Sequence, residues 1–201
     1  MFSFFNNRLV HKDHPRWGTT DGSIKTNGAK VSNTANFLNN TLIFGADYKQ
    51  DVAELITGSG AAKAEDKGTV FGLFIQDDWH LTQALTLTAG ARYDWYKLDE
   101  DGHSSFSSSG FSPNISASYF ITPEINVHAS IAQAFRGQQT KEMFLVGWAV
   151  NDENRVAEEA TNKEIGVKYA KQSFPAGVTL FDNQIENVVG NTTIHGKPVM
   201  A

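Results

Sequence analysis

The sequence predicts an all-β fold: an antiparallel transmembrane β-barrel fragment of about nine long strands, with short periplasmic turns and long extracellular loops. Three observations carry this. Residues 84–96 read Ala-Leu-Thr-Leu-Thr-Ala-Gly-Ala-Arg-Tyr-Asp-Trp-Tyr and alternate throughout. Leu85, Leu87, Ala89, Ala91, Tyr93 and Trp95 fall on one face, and Thr86, Thr88, Gly90, Arg92, Asp94 and Tyr96 on the other. A period of two is a strand signal, and a transmembrane strand needs about 9–11 residues with an apolar outer face. The pattern recurs along the chain, and the segments that separate its occurrences are by turns very short and long.

Taken in order, residues 2–10 and 24–37 are weaker strand candidates. Residues 41–49 set Leu42, Phe44, Ala46 and Tyr48 against Thr41, Ile43, Gly45, Asp47 and Lys49. Residues 69–81 place Phe71, Leu73, Ile75, Trp79 and Leu81 on one side. The strand at 84–96 follows. Residues 114–121 align Ile115, Ala117, Tyr119 and Ile121, and residues 125–135 align Ile125, Val127, Ala129 and Ile131. Ile165, Val167 and Tyr169 mark another strand, and 176–189 is a last, weaker candidate. Leu38-Asn39-Asn40, Thr82-Gln83-Ala84 and Thr122-Pro123-Glu124 read as tight hairpin links. Between them lie polar stretches at 11–23, 54–68, 99–110 and 138–160, rich in turn formers. Short turns at one end and long loops at the other are the asymmetry of outer-membrane barrels, and a soluble sandwich has no reason to enforce it. Trp79, Tyr93, Trp95 and Tyr119, at the ends of apolar faces, suit the two aromatic girdles of such a barrel.

Composition narrows the classes. The 201 residues carry a formal net charge of −5, which argues against a nucleic-acid partner. No apolar run approaches the roughly 18 residues of a membrane helix, which leaves barrels untouched because alternating strands average to mild hydropathy. Cysteine is absent, so disulfides and thiolate metal sites are excluded within these residues. The N-terminal Met-Phe-Ser-Phe-Phe-Asn-Asn-Arg lacks the basic region and cleavage site of a signal peptide, so the chain is expected to be part of something longer if it is exported.

Five segments carry a resemblance. They are Phe74-Ile75-Gln76-Asp77-Asp78-Trp79-His80-Leu81, then Leu85 through Asp94, then Phe111-Ser112-Pro113-Asn114 with Tyr119, then Ala132-Gln133-Ala134-Phe135-Arg136-Gly137, and finally Asn154 through Tyr169. In this order they resemble the strand motifs of TonB-dependent outer-membrane receptors: F-x-Q-D-E-W-x-L, L-T-L-x-x-G-x-R-Y-D, S-P-x-x-S-x-x-Y, Y-x-x-x-F-R-A-P and N-L-x-P-E-x-x-x-x-Y-E-x-G. Gly137 and Gln138 stand where the family has Ala-Pro, and Ala157 where it has Pro. The resemblance implies a bacterial outer-membrane location, an N-terminal plug domain and a TonB-contacting motif, neither of them legible here, and a ring of roughly 22 strands. Residues 1–201 are therefore expected to be one partial barrel domain, an internal fragment without the plug.

The resemblance also implies a function: binding and active import of a metal chelate, with a ferric siderophore as the expected ligand. Its partners would be the chelate, the TonB complex through the absent plug, and outer-membrane lipid. No cofactor, resident metal or enzymatic activity is expected, since iron would arrive inside the ligand. Arg136 is the first candidate ligand residue, because an inward guanidinium near the extracellular vestibule suits an anionic chelate. A pair with a neighbouring acid that fixes the barrel wall is the favoured reading, since lumen walls are full of paired charges. Lys141, Phe144 and Trp148 on the 138–160 stretch join aromatic and charged groups fit to grip a flat chelate, or else pack against neighbouring loops. His103, in an exposed loop, is the remaining candidate. Haem-uptake relatives place a histidine between the last two motifs, and 138–160 has none, which points away from haem. The six histidines are scattered, and the acidic run Asp99-Glu100-Asp101 lacks calcium-loop spacing. Gly58-Ser59-Gly60-Ala61-Ala62-Lys63 lacks the strand and helix of a phosphate loop. A passive porin or barrel adhesin is the alternative, and a soluble β-rich binding module is a third.

Overall fold

The computed structural model describes residues 1–13, 20–57, 62–100, 105–140, 150–151, 156–171, 174–188, 191–194 and 197–200. These form strands β1 (Phe2–Asp13), β2 (Thr20–Phe37), β3 (Asn40–Thr57), β4 (Ala62–His80), β5 (Leu85–Asp99), β6 (Phe106–Thr122), β7 (Ile125–Arg136), β8 (Val150–Asn151), β9 (Glu158–Lys171), β10 (Phe174–Glu186), β11 (Asn191–Ile194) and β12 (Lys197–Met200). Nine of them make a single meander in the order β1-β2-β3-β4-β5-β6-β7-β9-β10, each pair antiparallel. The sheet is open, with β1 and β10 at its edges, and β11-β12-β8 form a second small sheet. The three weaker candidate segments are the strands β1, β2 and β10.

Two of the three hairpin links share a chemistry, and the third turns on its backbone conformation. Leu38 takes a left-handed φ of 32° at the tip between β2 and β3. Thr82 accepts hydrogen bonds at its hydroxyl from the backbone N–H of Ala84 (3.1 Å) and Leu85 (2.9 Å). Thr122 repeats the device with Glu124 (3.3 Å) and Ile125 (3.2 Å). A threonine at the head of each of these two turns thus replaces ladder bonds that the reversal forfeits.

At the other end the strands run further than expected. Residues 54–57 and 62–68, read as loop, lie in β3 and β4, and 106–110 lie in β6. Likewise 11–13 and 20–23 belong to β1 and β2. The physical reason is that apolar alternation stops at the membrane interface, whereas backbone pairing continues above it wherever polar side chains can pair across strands. Lys25–Glu54 (3.2 Å) and Thr26–Asp51 (2.6 Å) are such pairs.

The two faces are those of a membrane wall. Among the described residues the only buried hydrophobic side chains are Ala53 and Leu98, whereas Ile75 is 51% and Phe111 56% exposed. Register places Leu42, Phe44, Ala46 and Tyr48 beside Ile75, Leu73 and Phe71, then Ala91, Tyr93 and Trp95, then Pro113 and Phe111, on one outward face. Thr88, Arg92, Asp94, Asn114 and Ser116 line the inward one.

The aromatic residues give the tilt of the strands. Trp79 on β4 pairs with Leu87, which pairs with Ala117 on β6, and Tyr119 sits two residues nearer the turn. Tyr119 pairs with Val127, which pairs with Val167 on β9, and Tyr169 again sits two residues nearer the turn. The lower girdle therefore steps one residue per strand, which corresponds to a tilt of about 35° at strand spacings of about 4.8 Å. Towards the upper end of the outward face Tyr48, Phe71 and Trp95 make a second aromatic band along one register row, without the step of the lower one, and Phe71 stacks on Trp95 at 5.6 Å. From Trp79 to Phe71 the tilted strand rises about 22 Å, close to the apolar height of outer-membrane barrels.

Candidate functional site

Inward-facing side chains build two layers, a charged wall at membrane depth and a rim above it. In the wall, Arg92 on β5 spans β4 to reach Asp47 on β3. Its Nη1 and Nη2 donate to Asp47 at 2.7 and 2.9 Å, and its Nε and Nη2 donate to Asp94 at 2.8 and 2.6 Å. The span is open because β4 presents Gly72 there: a Cβ at Gly72 would lie 2.0 Å from Arg92 Nη2. Asp94 is only 3% exposed, so one guanidinium fork serves two carboxylates in a partly desolvated setting. Beside it, Lys30 Nζ stands 4.8 Å over the Phe74 ring, which lies across Gly45. Lower down, Thr88 and Gln76 donate to Asp78 at 2.7 and 3.2 Å.

Two buried polar atoms of the wall have no hydrogen-bond partner among the described residues, Asp77 Oδ1 and His128 Nδ1. Asp77 lies on the outward row between Ile75 and Trp79, and Asn40 donates to its other oxygen at 3.1 Å. His128 lies inward against Gly166, whose missing Cβ leaves room for the imidazole edge.

The rim is assembled at the end of β7. Arg136 is ion-paired with Glu158, its direct partner on β9. The wall-pair arrangement is thus present at this residue, and the guanidinium remains partly exposed beside the mouth. Phe135 lies over Gly110 of β6 and approaches Tyr96 of β5, with ring centroids 5.9 Å apart. Its backbone N–H donates to the Ser112 hydroxyl at 3.0 Å. On the outward row above Trp95, Asp99 accepts from Lys97 (2.9 Å) and Ser105 (2.6 Å), which hold its carboxyl below the usual carboxylate range.

Of the sequence-selected ligand residues, Arg136 alone is described; His103, Lys141, Phe144 and Trp148 lie outside the described residues. The rim adds Tyr96, Phe135, Gln138 and Thr140, which sequence reading passed over. The signal for them was the glycine at 110, read as part of a loop, although it sits within β6 and makes room for an aromatic ring from β7. Among the described residues no group of three or more His, Cys, Asp or Glu is arranged to hold a metal ion.

An outward apolar face between two aromatic girdles, with a charged inward face, is the arrangement of an outer-membrane barrel wall. The family model for the TonB-dependent-receptor-like β-barrel matches residues 2–198. The chain belongs to that family. This TonB-dependent-receptor barrel is 27% identical over 149 residues to the ferric enterobactin receptor PirA of Pseudomonas aeruginosa, an alignment covering 65% of the chain and 19% of that protein. It is 30% identical over 118 residues to the heme transporter BhuA of Brucella ovis, covering 57% of the chain and 18% of that protein. The FrpB iron transporter from Neisseria meningitidis superposes with a TM-score of 0.75 at 22% identity, over 91% of this chain and 31% of that one. The chain therefore spans about a fifth of the length of these sequence relatives, and the structural likeness shows the shared barrel fold.

Proposed function

We propose that these strands form one arc of a closed outer-membrane ring whose external rim binds a metal chelate, a ferric siderophore, for energised uptake. The single observation that supports it best is the family match along residues 2–198, in a chain similar to a receptor named for ferric enterobactin. The rim is chemically suited to the role. Arg136 offers a partly exposed guanidinium to an anionic chelate, and Tyr96 and Phe135 stand beside it as apolar surface. Below, the paired charges of Asp47, Arg92 and Asp94 keep the inward wall hydrophilic without presenting a free charge that would trap the ligand. No covalent step is required of any of these groups. The barrel would bind and pass its cargo, while release would depend on work supplied through TonB.

A second reading, haem as cargo, is favoured by the similarity to BhuA; the absence of histidine from 138–160 opposes it. The test is binding of ferric catecholates, ferric hydroxamates and haem to outer membranes containing the protein. A ferric siderophore should bind with a dissociation constant in the nanomolar to micromolar range, and its uptake should stop when the inner-membrane proton gradient is collapsed. Preferred binding of haem would replace the siderophore reading. Uptake indifferent to the gradient would favour a passive channel.

A further inference from the structure

After Arg136 the chain does not rise straight out of the mouth. It turns inward and travels back across the inner faces of β6, β5 and β4. Gly137 packs on the Tyr96 ring and the Ser108 hydroxyl, where a Cβ would come within 2.4 Å of Tyr96 Cγ and 2.6 Å of Ser108 Oγ. Thr140, 1% exposed, rests on Gly68 of β4, three strands from β7 in the sheet. Three strand spacings are about 14 Å, so a loop that left β7 directly upward would not bring Thr140 there.

We propose that Tyr96 is the positioning residue that seats residues 137–140, the segment that follows β7, inside the barrel mouth and against the inner faces of β6, β5 and β4. This rests on the chelate-uptake reading above. The seat has three contacts, each made by a bulky group on a glycine. Phe135 covers Gly110, Tyr96 meets Gly137, and Thr140 covers Gly68. Any side chain at Gly110 would intrude on the Phe135 ring, with a Cβ 2.1 Å from its Cγ, and the same holds less severely at Gly68, 3.1 Å from Thr140 Cγ2. Tyr96 is the central post, because it touches both Phe135 before the turn and Gly137 after it. Its ring does this, not its hydroxyl. The seat also coincides with the part of the molecule that has a conventional interior, around Leu98 and Ala53. Loops that carry binding groups work when a rigid root fixes them.

The experiment uses the protein as produced in its own outer membrane. Tyr96→Phe, which keeps the ring that makes the contacts, should bind the ferric chelate about tenfold or more tightly than Tyr96→Ala, which removes it. The heat-modifiable gel mobility of the assembled barrel should be the same in both. Equal binding by the two variants would overturn the proposal. The G68C/T140C pair gives a second measurement, since a Cβ at Gly68 lies 3.7 Å from the Thr140 backbone nitrogen, within disulfide reach, and these residues contain no other cysteine. The disulfide should form in assembled protein, and its yield should fall when Tyr96→Ala is added. No disulfide, or an unchanged yield, would overturn the seat. If the unsubstituted protein binds none of the chelates, the uptake reading fails, and the disulfide yields still decide the placement of the root.

Discussion

The missing methyl group at Gly72 lets Arg92 cross a whole strand to a carboxylate on the next one. The consequence is energetic. Removing one member of a buried ion pair costs roughly 3–5 kcal/mol, and the partial exposure of Arg92 reduces this to about 2 kcal/mol. Arg92→Met should therefore lower the temperature at which the assembled barrel loses its compact gel mobility, because Asp47 and Asp94 are left facing one another. Adding Asp47→Asn should recover part of the loss. If Arg92→Met melts with the unsubstituted protein, the cluster contributes nothing to stability. Alternation in the sequence already turned Arg92 and Asp94 inward together. It gave no access to Asp47, because a partner two strands away depends on register, and register is not written in any local pattern. Arg136 was legible as a rim residue for a similar reason of position, while its mate Glu158 was hidden by the intervening loop.

At the level of the strand, the membrane-spanning portions were legible and the extensions above them were not. Leu85 to Trp95 could be read because lipid enforces a strict apolar face. Gln50 to Glu54 could not, because above the interface either face accepts polar residues and the ladder survives through pairs such as Lys25–Glu54. Regions 54–57 and 62–68 therefore look like loop in sequence and are strand in the folded chain. The two faces make opposite demands at one depth. Ile75 lies midway between the girdle residues Phe71 and Trp79, so Ile75→Lys should cost about 2–4 kcal/mol if that face meets lipid. Thr88→Lys, on the inward face, should assemble normally. Yields of heat-modifiable barrel from the two variants compare them directly, and equal yields would remove lipid from the outward side.

For the molecule as a whole, the open edges dominate behaviour. β10 is exposed along its entire length and β1 from Phe4 to Val10, and each offers a row of unpaired backbone groups at the sheet edge. Neither lipid nor water tolerates this in a stable monomer. The 201-residue chain produced alone should associate, and a sharp monomeric boundary in sedimentation with a cooperative melt would contradict the open-sheet picture. Pairing of nine strands in chain order was legible from the recurrence of alternation; the inward path of residues 137–140 was not, since it depends on glycines at 68 and 110 lying under side chains distant in sequence.

The one-residue step of the aromatic girdle has a consequence for the bore. If the strands belong to a ring of roughly 22 staves, the number the family resemblance implies, a tilt of about 35° gives it a perimeter of about 130 Å and a radius near 20 Å. An opening of that calibre would admit a small folded protein. It cannot sieve a chelate by size, and left bare it would drain the compartment behind it. Selectivity in such a vessel must come from what touches the cargo at the lip and from whatever occupies the bore, and the wall's own task is to stay rigid around both.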